Sequence, residues 1–482
     1  MDNYELKRKT ISGLFWKLCE RVSAQFVTFV VSVILARILL PDEYGIIAIV
    51  TIFINIANVF VSNGLGISLI QKKDADELDF STMFYSSIIL SLIIYLIIYL
   101  IAPLLAALYE NELLISVIRI MGLRIPIASI NCIQQAYVSS KMNYKMFFFS
   151  TFIGTVISAV IGVLMAILGF GVWALVAQYL STALIDTVVL WIVIEWKPAL
   201  VFSIDRFKSL FSFGWKAMLT SLIGTVFNQL RGLIIGFKYT PADLAYCVKG
   251  EQIPLMVTSL NSTMESVLFT SITKVQDDKK NVKKALSRLT RTSSFLIIPM
   301  MFGLVAIAEP LVKILFTDRW LLCVPFLRIV SIQQCLVILN SVNLQAIKAI
   351  GRSDISLKLE FIKKPFYLII LFATLSFNPF VIYMGNLFYS IIALFINSYY
   401  NKILIDYSIK EQLGDIIGYL ILSIFMCVIV FWIGYINLNI YLTMILQIIV
   451  GFVFYISFSR ILKFDSYVYL KNTLLDFLKS RK

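Results

Sequence analysis

Five polar residues, Lys17, Arg21, Gln25, Thr28 and Ser32, recur at steps of four, four, three and four in a stretch otherwise made of Phe, Val, Ile and Leu. At about 100° per residue they stay within an arc of roughly 80° on one helix face. A cation in an apolar helix must turn toward protein or water, because hydrocarbon solvates neither charge nor free backbone. The chemistry such a face can do is binding rather than bond-breaking: guanidinium and ammonium groups at low dielectric attract anions, and a guanidinium fork fits phosphate oxygens. The pattern returns about two hundred residues later as Lys216, Thr220, Gly224, Asn228 and Arg231. Asn55 and Asn58 extend the polar surface onto the apolar stretch after the first stripe, and Lys249 and Glu251 onto the one after the second. The expected anion-binding set is therefore Lys17, Arg21, Gln25, Asn55, Asn58, Lys216, Asn228, Arg231 and Lys249. Acids are fewer in these stretches, and Glu20, Asp186, Glu251 and Glu265 are the candidates for holding a coupling cation, a proton or sodium.

Sixty per cent of the 482 residues are hydrophobic, only 15% are charged, and the mean hydropathy is +0.89. A soluble protein carries about 25% charged residues, so the composition points to an all-α polytopic membrane protein. No histidine is present, which removes the commonest metal ligand and the commonest base near neutral pH. The six cysteines stand singly in apolar stretches, which argues against disulfides or zinc. No P-loop pattern occurs, so energy is expected from the membrane potential, an ion gradient or consumption of the product rather than from ATP. A net charge of +14 suggests nucleic acid only until the basic residues are placed. They lie between apolar spans, where they act as topology signals and headgroup contacts. A transporter without a catalytic site or metal is expected, not an enzyme.

Windows of about twenty residues give roughly fourteen spans: 12–36, 44–66, 81–107, 115–140, 147–168, 171–194, 213–237, 243–269, 292–316, 324–349, 359–376, 379–400, 415–435 and 438–459. With the N-terminus inside, about 29 Lys and Arg fall in inner loops and termini against about 4 outside, which predicts that both termini are cytoplasmic. Between residues 195 and 212, the run Asp205-Arg206-Phe207-Lys208-Ser209-Leu210-Phe211 reads as an amphipathic linker on the membrane surface. The sequences on either side of it are copies. Gly13-x-x-Trp16-Lys17 matches Phe213-Gly214-Trp215-Lys216, and Arg37-x-x-x-Pro41-Asp42-Glu43 matches Lys238-x-x-Pro241-Ala242-Asp243. Ala102-Pro103-Leu104-Leu105 matches Glu309-Pro310-Leu311-Val312, and Val117-Ile118-Arg119-Ile120 matches Phe326-Leu327-Arg328-Ile329. Six spans per copy make the repeats parallel. The expected layout is an N-lobe over 1–204, a C-lobe over 205–405 and two further helices with a basic tail over 406–482, the lobes facing each other across a cleft. Arg119 and Arg328, near the outer ends of their helices, are expected to reach the headgroups.

Gly13-x-x-Trp16, the run Ile34-Leu35-Ala36-Arg37-Ile38-Leu39-Leu40-Pro41-Asp42-Glu43-Tyr44-Gly45, then Leu69-Ile70-Gln71-Lys72 and Phe316-Thr317-Asp318-Arg319-Trp320 resemble the polysaccharide flippases. These form the O-antigen and teichuronic-acid export branch of the multidrug/oligosaccharidyl-lipid/polysaccharide exporter superfamily. The resemblance covers essentially the whole chain. It implies a fourteen-helix, V-shaped transporter that carries undecaprenyl-pyrophosphate-linked oligosaccharide across the bacterial cytoplasmic membrane by alternating access. It also implies pyrophosphate contacts from basic residues on the first, second, seventh and eighth helices, by position Lys17, Arg21, Arg231 and Lys249; the second helix here has no basic residue to match. Expected partners are the lipid-linked oligosaccharide, membrane lipids, a polysaccharide polymerase and a chain-length regulator, with no nucleic acid and a monomeric protein. The alternative is an ion-coupled exporter of drugs or metabolites on the same fold, which would want more acids beside the cations.

Overall fold

The computed structural model describes residues 3–62, 65–72, 74–140, 144–259, 278–436 and 438–480. Among them the chain is all helix and turn, with no strand. The helices are α1 (Asn3–Ile38), α2 (Pro41–Ser62), α3 (Leu65–Gln71), α4 (Glu77–Leu108), α5 (Leu113–Gly122), α6 (Arg124–Ser140), α7 (Tyr144–Ile167), α8 (Val172–Val193) and α9 (Ile204–Lys238). There follow α10 (Pro241–Ser259), α11 (Lys279–Phe316), a 3-10 turn (Asp318–Cys323), α12 (Val324–Ala349), α13 (Ser353–Thr374), α14 (Pro379–Ile405), α15 (Ile409–Ile433), α16 (Ile440–Ile461) and α17 (Asp465–Ser480). Twelve segments of the described residues are long and apolar enough to cross a bilayer, and each coincides with an expected span. Of the other two expected spans, 243–269 runs past Ser259 out of the described residues. The second, 359–376, coincides with α13, whose first half carries Asp354, Lys358, Glu360, Lys363 and Lys364.

Two compact units form, Met1–Ala245 and Tyr246–Lys482. In the first, α1 ends at Ile38 and α2 begins at Pro41, a residue suited to the first helical position because its missing N–H is one the helix does not use there. Glu43, two residues further on, reaches back to accept from the Leu40 N–H at 2.7 Å. The matching turn, from α9 to α10, repeats the device in full. Thr240 N donates to Asp243 Oδ2 at 3.1 Å, and Asp243 N donates to Thr240 Oγ1 at 3.2 Å, closing a capping box ahead of Pro241. The sequence repeat is thus a repeat of cap chemistry. The prolines Pro103 and Pro310 also correspond, each lying inside a long helix near its end. Lacking an N–H, Pro103 leaves the Tyr99 carbonyl without its helical donor. Arg119 Nε donates to that carbonyl at 3.5 Å, and Arg328 Nε likewise reaches Val305 O at 3.3 Å, one residue before the carbonyl freed by Pro310.

Two local expectations are corrected. The span 115–140 holds as a span, Leu113–Ser140, but is built of two helices rather than one, α5 and α6, divided at Leu123. Pro126 cannot donate to the Gly122 carbonyl, so the ladder opens there. The second correction concerns Asp205–Phe211. This run is not a surface linker; it forms the first turns of the continuous helix α9, and Phe207, Leu210 and Phe211 pack with Phe80, Met83, Phe84 and Ile133. Tertiary burial of the aromatic face overrides the amphipathic pattern that a surface helix shares. The preceding connection is fastened to the start of α4: Ala199 N donates to Ser81 Oγ at 3.0 Å and Ser203 N to Thr82 Oγ1 at 3.2 Å. Arg206 bridges Asp76 at 3.3 Å and the fully buried Asp79 at 3.5 Å, and Lys72 also pairs with Asp79. The Asp79 backbone N–H, and after it Arg206 and Lys72, hold the Asp76 carboxyl below the usual carboxylate range.

Candidate substrate-binding site

Helix α1 rests on α7 through one face. Trp16 packs on Phe148 and Phe149 with ring centroids 5.4 and 6.1 Å apart, and Lys145 Nζ lies 5.7 Å from the Trp16 centroid. Glu20, on that face, accepts from Thr151 Oγ1 at 3.3 Å. The stripe read from the sequence lies elsewhere on the helix: Lys17, Arg21 and Thr28 are exposed, and Gln25 and Ser32 are half-buried. One helix therefore sends its acid into the bundle and its cations out of it.

The second acid is held in the same bundle. Asp186, on α8, accepts from Asn131 Nδ2 of α6 at 2.9 Å and from Ser150 Oγ of α7. Gly154 makes this possible, since α7 approaches so closely that a Cβ there would lie 3.2 Å from the Asp186 nitrogen. Glu20 and Asp186 thus sit in a polar seam of the first unit, bonded by hydroxyl and amide groups. The spacing of Asn131 and Ser150 gave no sign of this, because each reads as an isolated polar residue.

Helix α9 lies against α2 through two glycines. A Cβ at Gly232 would meet Ile52 Cδ1 at 2.8 Å, and one at Gly236 would meet Ile49 Cγ1 at 3.2 Å, so the helices run antiparallel in close contact. Continuing that register places Asn228 between the levels of Asn55 and Asn58, and Arg231 at about the level of Phe53, since opposed residues advance at the same rise. Arg231 is half-buried, Lys216 and Asn228 are exposed, and Asn55 and Asn58 are half-buried. The first unit therefore carries cations on two helices, Lys17 and Arg21 on α1, Lys216 and Arg231 on α9, none of them part of its apolar core.

The remaining candidates belong to α10. Lys249 is buried, its Nζ 5.1 Å from the Phe316 ring centroid and 5.5 Å from that of Trp320, with Gln252 Oε1 at 3.5 Å. An ammonium enclosed by aromatic faces is stabilised by their quadrupoles and shielded from a ligand outside. Glu251 accepts from the Tyr383 hydroxyl, which ties α10 to α14. Glu265 lies outside the described residues.

Residues 34–325 match the family described as "Polysaccharide biosynthesis protein". The chain belongs to this family. It is 26% identical over 349 residues to the succinoglycan biosynthesis transport protein ExoT of Rhizobium meliloti, covering 72% of this chain and 71% of that one. To the teichuronic acid biosynthesis protein TuaB of Bacillus subtilis it is 23% identical over 357 residues, 73% of each. Among solved structures it resembles the lipid II flippase MurJ in an inward closed conformation, with a TM-score of 0.75 at 15% identity over 94% of this chain and 98% of that one. An inward-facing multidrug resistance transporter of the MATE family gives a TM-score of 0.61 at 16% identity over 79% and 94%. At those identities the two structures speak to the fold alone, that of a multi-pass helical membrane protein.

Proposed function

We propose that this protein carries undecaprenyl-pyrophosphate-linked oligosaccharide repeat units from the inner to the outer leaflet of the bacterial cytoplasmic membrane, for assembly of a cell-surface polysaccharide. The observation that carries the reading is the placement of charge in the first unit: Lys17, Arg21 and Lys216 are exposed and Arg231 is half-buried, whereas the half-buried Glu20 and Asp186 accept hydrogen bonds from neighbouring helices. A pyrophosphate needs cations at low dielectric, and the polyprenyl tail needs only lipid. Transport roles in succinoglycan and lipid II pathways, as named for the relative and the structural neighbour, agree with that chemistry. The two cation-bearing helices would meet the substrate in turn by alternating access, with a proton or sodium ion at Glu20 or Asp186 as the coupling ion. Efflux of cationic drugs fits less well, because the acids it would use already accept bonds from Thr151, Ser150 and Asn131.

The test is complementation of a flippase-deficient strain, with membrane protein level measured in the same cells. Arg21→Ala and Arg231→Ala should each lower export at least tenfold at unchanged protein level, since a charge-assisted contact contributes about 1.5–3 kcal/mol. Lysine at either position should restore export in part, because it keeps the charge and loses the fork. Normal export from both alanine variants at normal level would remove the substrate-binding role. Topology is tested separately: reporters fused after Lys73, Lys208, Lys284 and Lys482 should all be cytoplasmic, and an external signal after Lys284 would overturn the parallel-repeat arrangement.

A further inference from the structure

Helices α14 and α15 each carry an exposed apolar stripe that ends in a lysine at the turn joining them. On α14, Phe388, Phe395 and Tyr399 are exposed and, at about 100° per residue, share an arc of roughly 60° with Lys402. On α15, Leu413, Ile417, Ile421 and Ile424 are exposed and share an arc of roughly 80° with Lys410. Both helices are long and apolar enough to cross a bilayer, so side chains of this kind on their outer faces meet acyl chains. A lysine at the end of such a face stands where hydrocarbon gives way to headgroups.

A cavity of about 680 Å³ lies around that turn, with Phe395 and Tyr399 in one wall and Lys402, Asp406, Lys410 and Glu411 as its charged lining. The two acids already have a partner in α11: Lys283 Nζ is 2.7 Å from Glu411 and 4.0 Å from Asp406. Glu411 also closes a capping box with Ser408 at the head of α15. The two lysines are not answered in this way. Both are exposed, and among the described residues neither pairs with a carboxylate nor gives its ammonium to a hydrogen bond. Two accessible cations, one from each helix, thus face a cavity that opens onto two apolar faces.

We infer that this cavity is a binding site for one anionic phospholipid, its phosphate held between Lys402 and Lys410 and its acyl chains laid along the stripes of α14 and α15. The excess of basic residues on one side of the spans assigns the turn to the cytoplasmic leaflet, where anionic lipids attract such lysines. Net charge is what the site reads. Phosphatidylglycerol brings a phosphate and a neutral headgroup; phosphatidylcholine brings the same phosphate with a cation of its own, which the two ammonium groups repel. The site uses none of the cations proposed for the exported substrate, and its occupant stays in one leaflet.

Native mass spectrometry of the whole protein, purified in detergent and supplied with phosphatidylglycerol or phosphatidylcholine, tests this. The wild-type protein should retain one molecule of phosphatidylglycerol at least fivefold more strongly than phosphatidylcholine. Lys402→Gln and Lys410→Gln should each lower retention of phosphatidylglycerol about fivefold, the usual effect of one lysine near an anionic lipid, and leave phosphatidylcholine unchanged. Lys358→Gln is the control: it removes the same charge from an exposed lysine of α13 that does not line the cavity, and it should change neither. Equal retention of the two lipids by the wild-type protein overturns the assignment. So does a loss in Lys358→Gln as large as in the other two, which would mean a diffuse charge effect with no site. Displacement of the bound lipid by undecaprenyl phosphate at equal concentration also overturns it, by making the cavity a place for the carrier of the exported product. None of these readings depends on export, so they stand or fall apart from the proposed function.

Discussion

Adding one methyl group at Gly45 should destabilise the protein by about 3 kcal/mol, the upper part of the range for forcing volume into a packed interior. Gly45 lies in the second turn of α2, against the turn that opens α10. A Cβ there would fall 1.9 Å from the carbonyl oxygen of Pro241, 2.2 Å from its carbonyl carbon and 2.7 Å from its Cα. All three are backbone atoms, so no rotamer change relieves the overlap, and one of two capped turns must move. The α1–α2 turn is held by Glu43 on Leu40 N and by the Tyr44 hydroxyl on Ser32 O, and the α9–α10 turn by its capping box. Thermal unfolding of Gly45→Ala in detergent should show a clear fall in midpoint. Gly224→Ala is the control: that glycine is in mid-helix with nothing within 4 Å of a new Cβ, so alanine should be neutral or stabilise by about 0.5–1 kcal/mol. A Gly45→Ala midpoint equal to that of the control would mean that the two turns do not bear on each other in the folded protein.

Asp415→Ala should be comparably severe, at about 2–4 kcal/mol, and the neighbouring Asp465→Ala should not. Asp415 is 9% exposed and serves as a hub: Oδ1 accepts from Arg291 Nε at 2.8 Å and Nη2 at 2.7 Å, while Oδ2 accepts from Ser287 and from the Tyr407 hydroxyl at 2.7 Å. Alanine there strands a guanidinium, a serine and a phenol that have given up their water. Arg291 is 40% exposed, so it recovers some hydration and the cost falls short of that for a fully buried pair. Asp465 also pairs with Arg291, at 3.0 Å, but at 82% exposure it is a surface partner and should contribute less than about 1 kcal/mol. Unfolding midpoints for the two variants measured side by side decide the matter. Equal losses would show that burial does not set the strength of this network.

Local periodicity made part of this legible in advance. The stripe on α1, the matched prolines and the two capped turns depend on residues within a few positions of each other, and helical spacing reports them directly. The all-helical, multi-pass class followed from composition. What the sequence hid were bonds between distant positions. Asp415 lies 124 residues from Arg291. Asn343 donates to Gln412 Oε1 at 2.8 Å and accepts from Asn401 at 2.7 Å, a buried amide seam across α12, α14 and α15 that reads in sequence as scattered asparagines. Lys249 was legible as an intramembrane cation but not as one enclosed by Phe316 and Trp320, because its cage comes from another helix end. The amphipathic run at Asp205 misled for the same reason: its apolar face meets protein from α4 and α6 where a surface helix would meet lipid.

The fastening of residues 195–203 to the head of α4 bears on how this gene can be cut. Ala199, Ser203 and Arg206 are all bonded to residues of that helix or the turn before it, so the stretch has little slack for an inserted tag and little free backbone for a protease to thread. Expressing the protein as two fragments divided just before Ile204 would separate Arg206 from Asp76 and Asp79, and would part Phe207 and Phe211 from the aromatic cluster they complete. A break point that respects the physics leaves α9 on the same polypeptide as α4, even though the internal duplication of the sequence invites the scissors to fall between them.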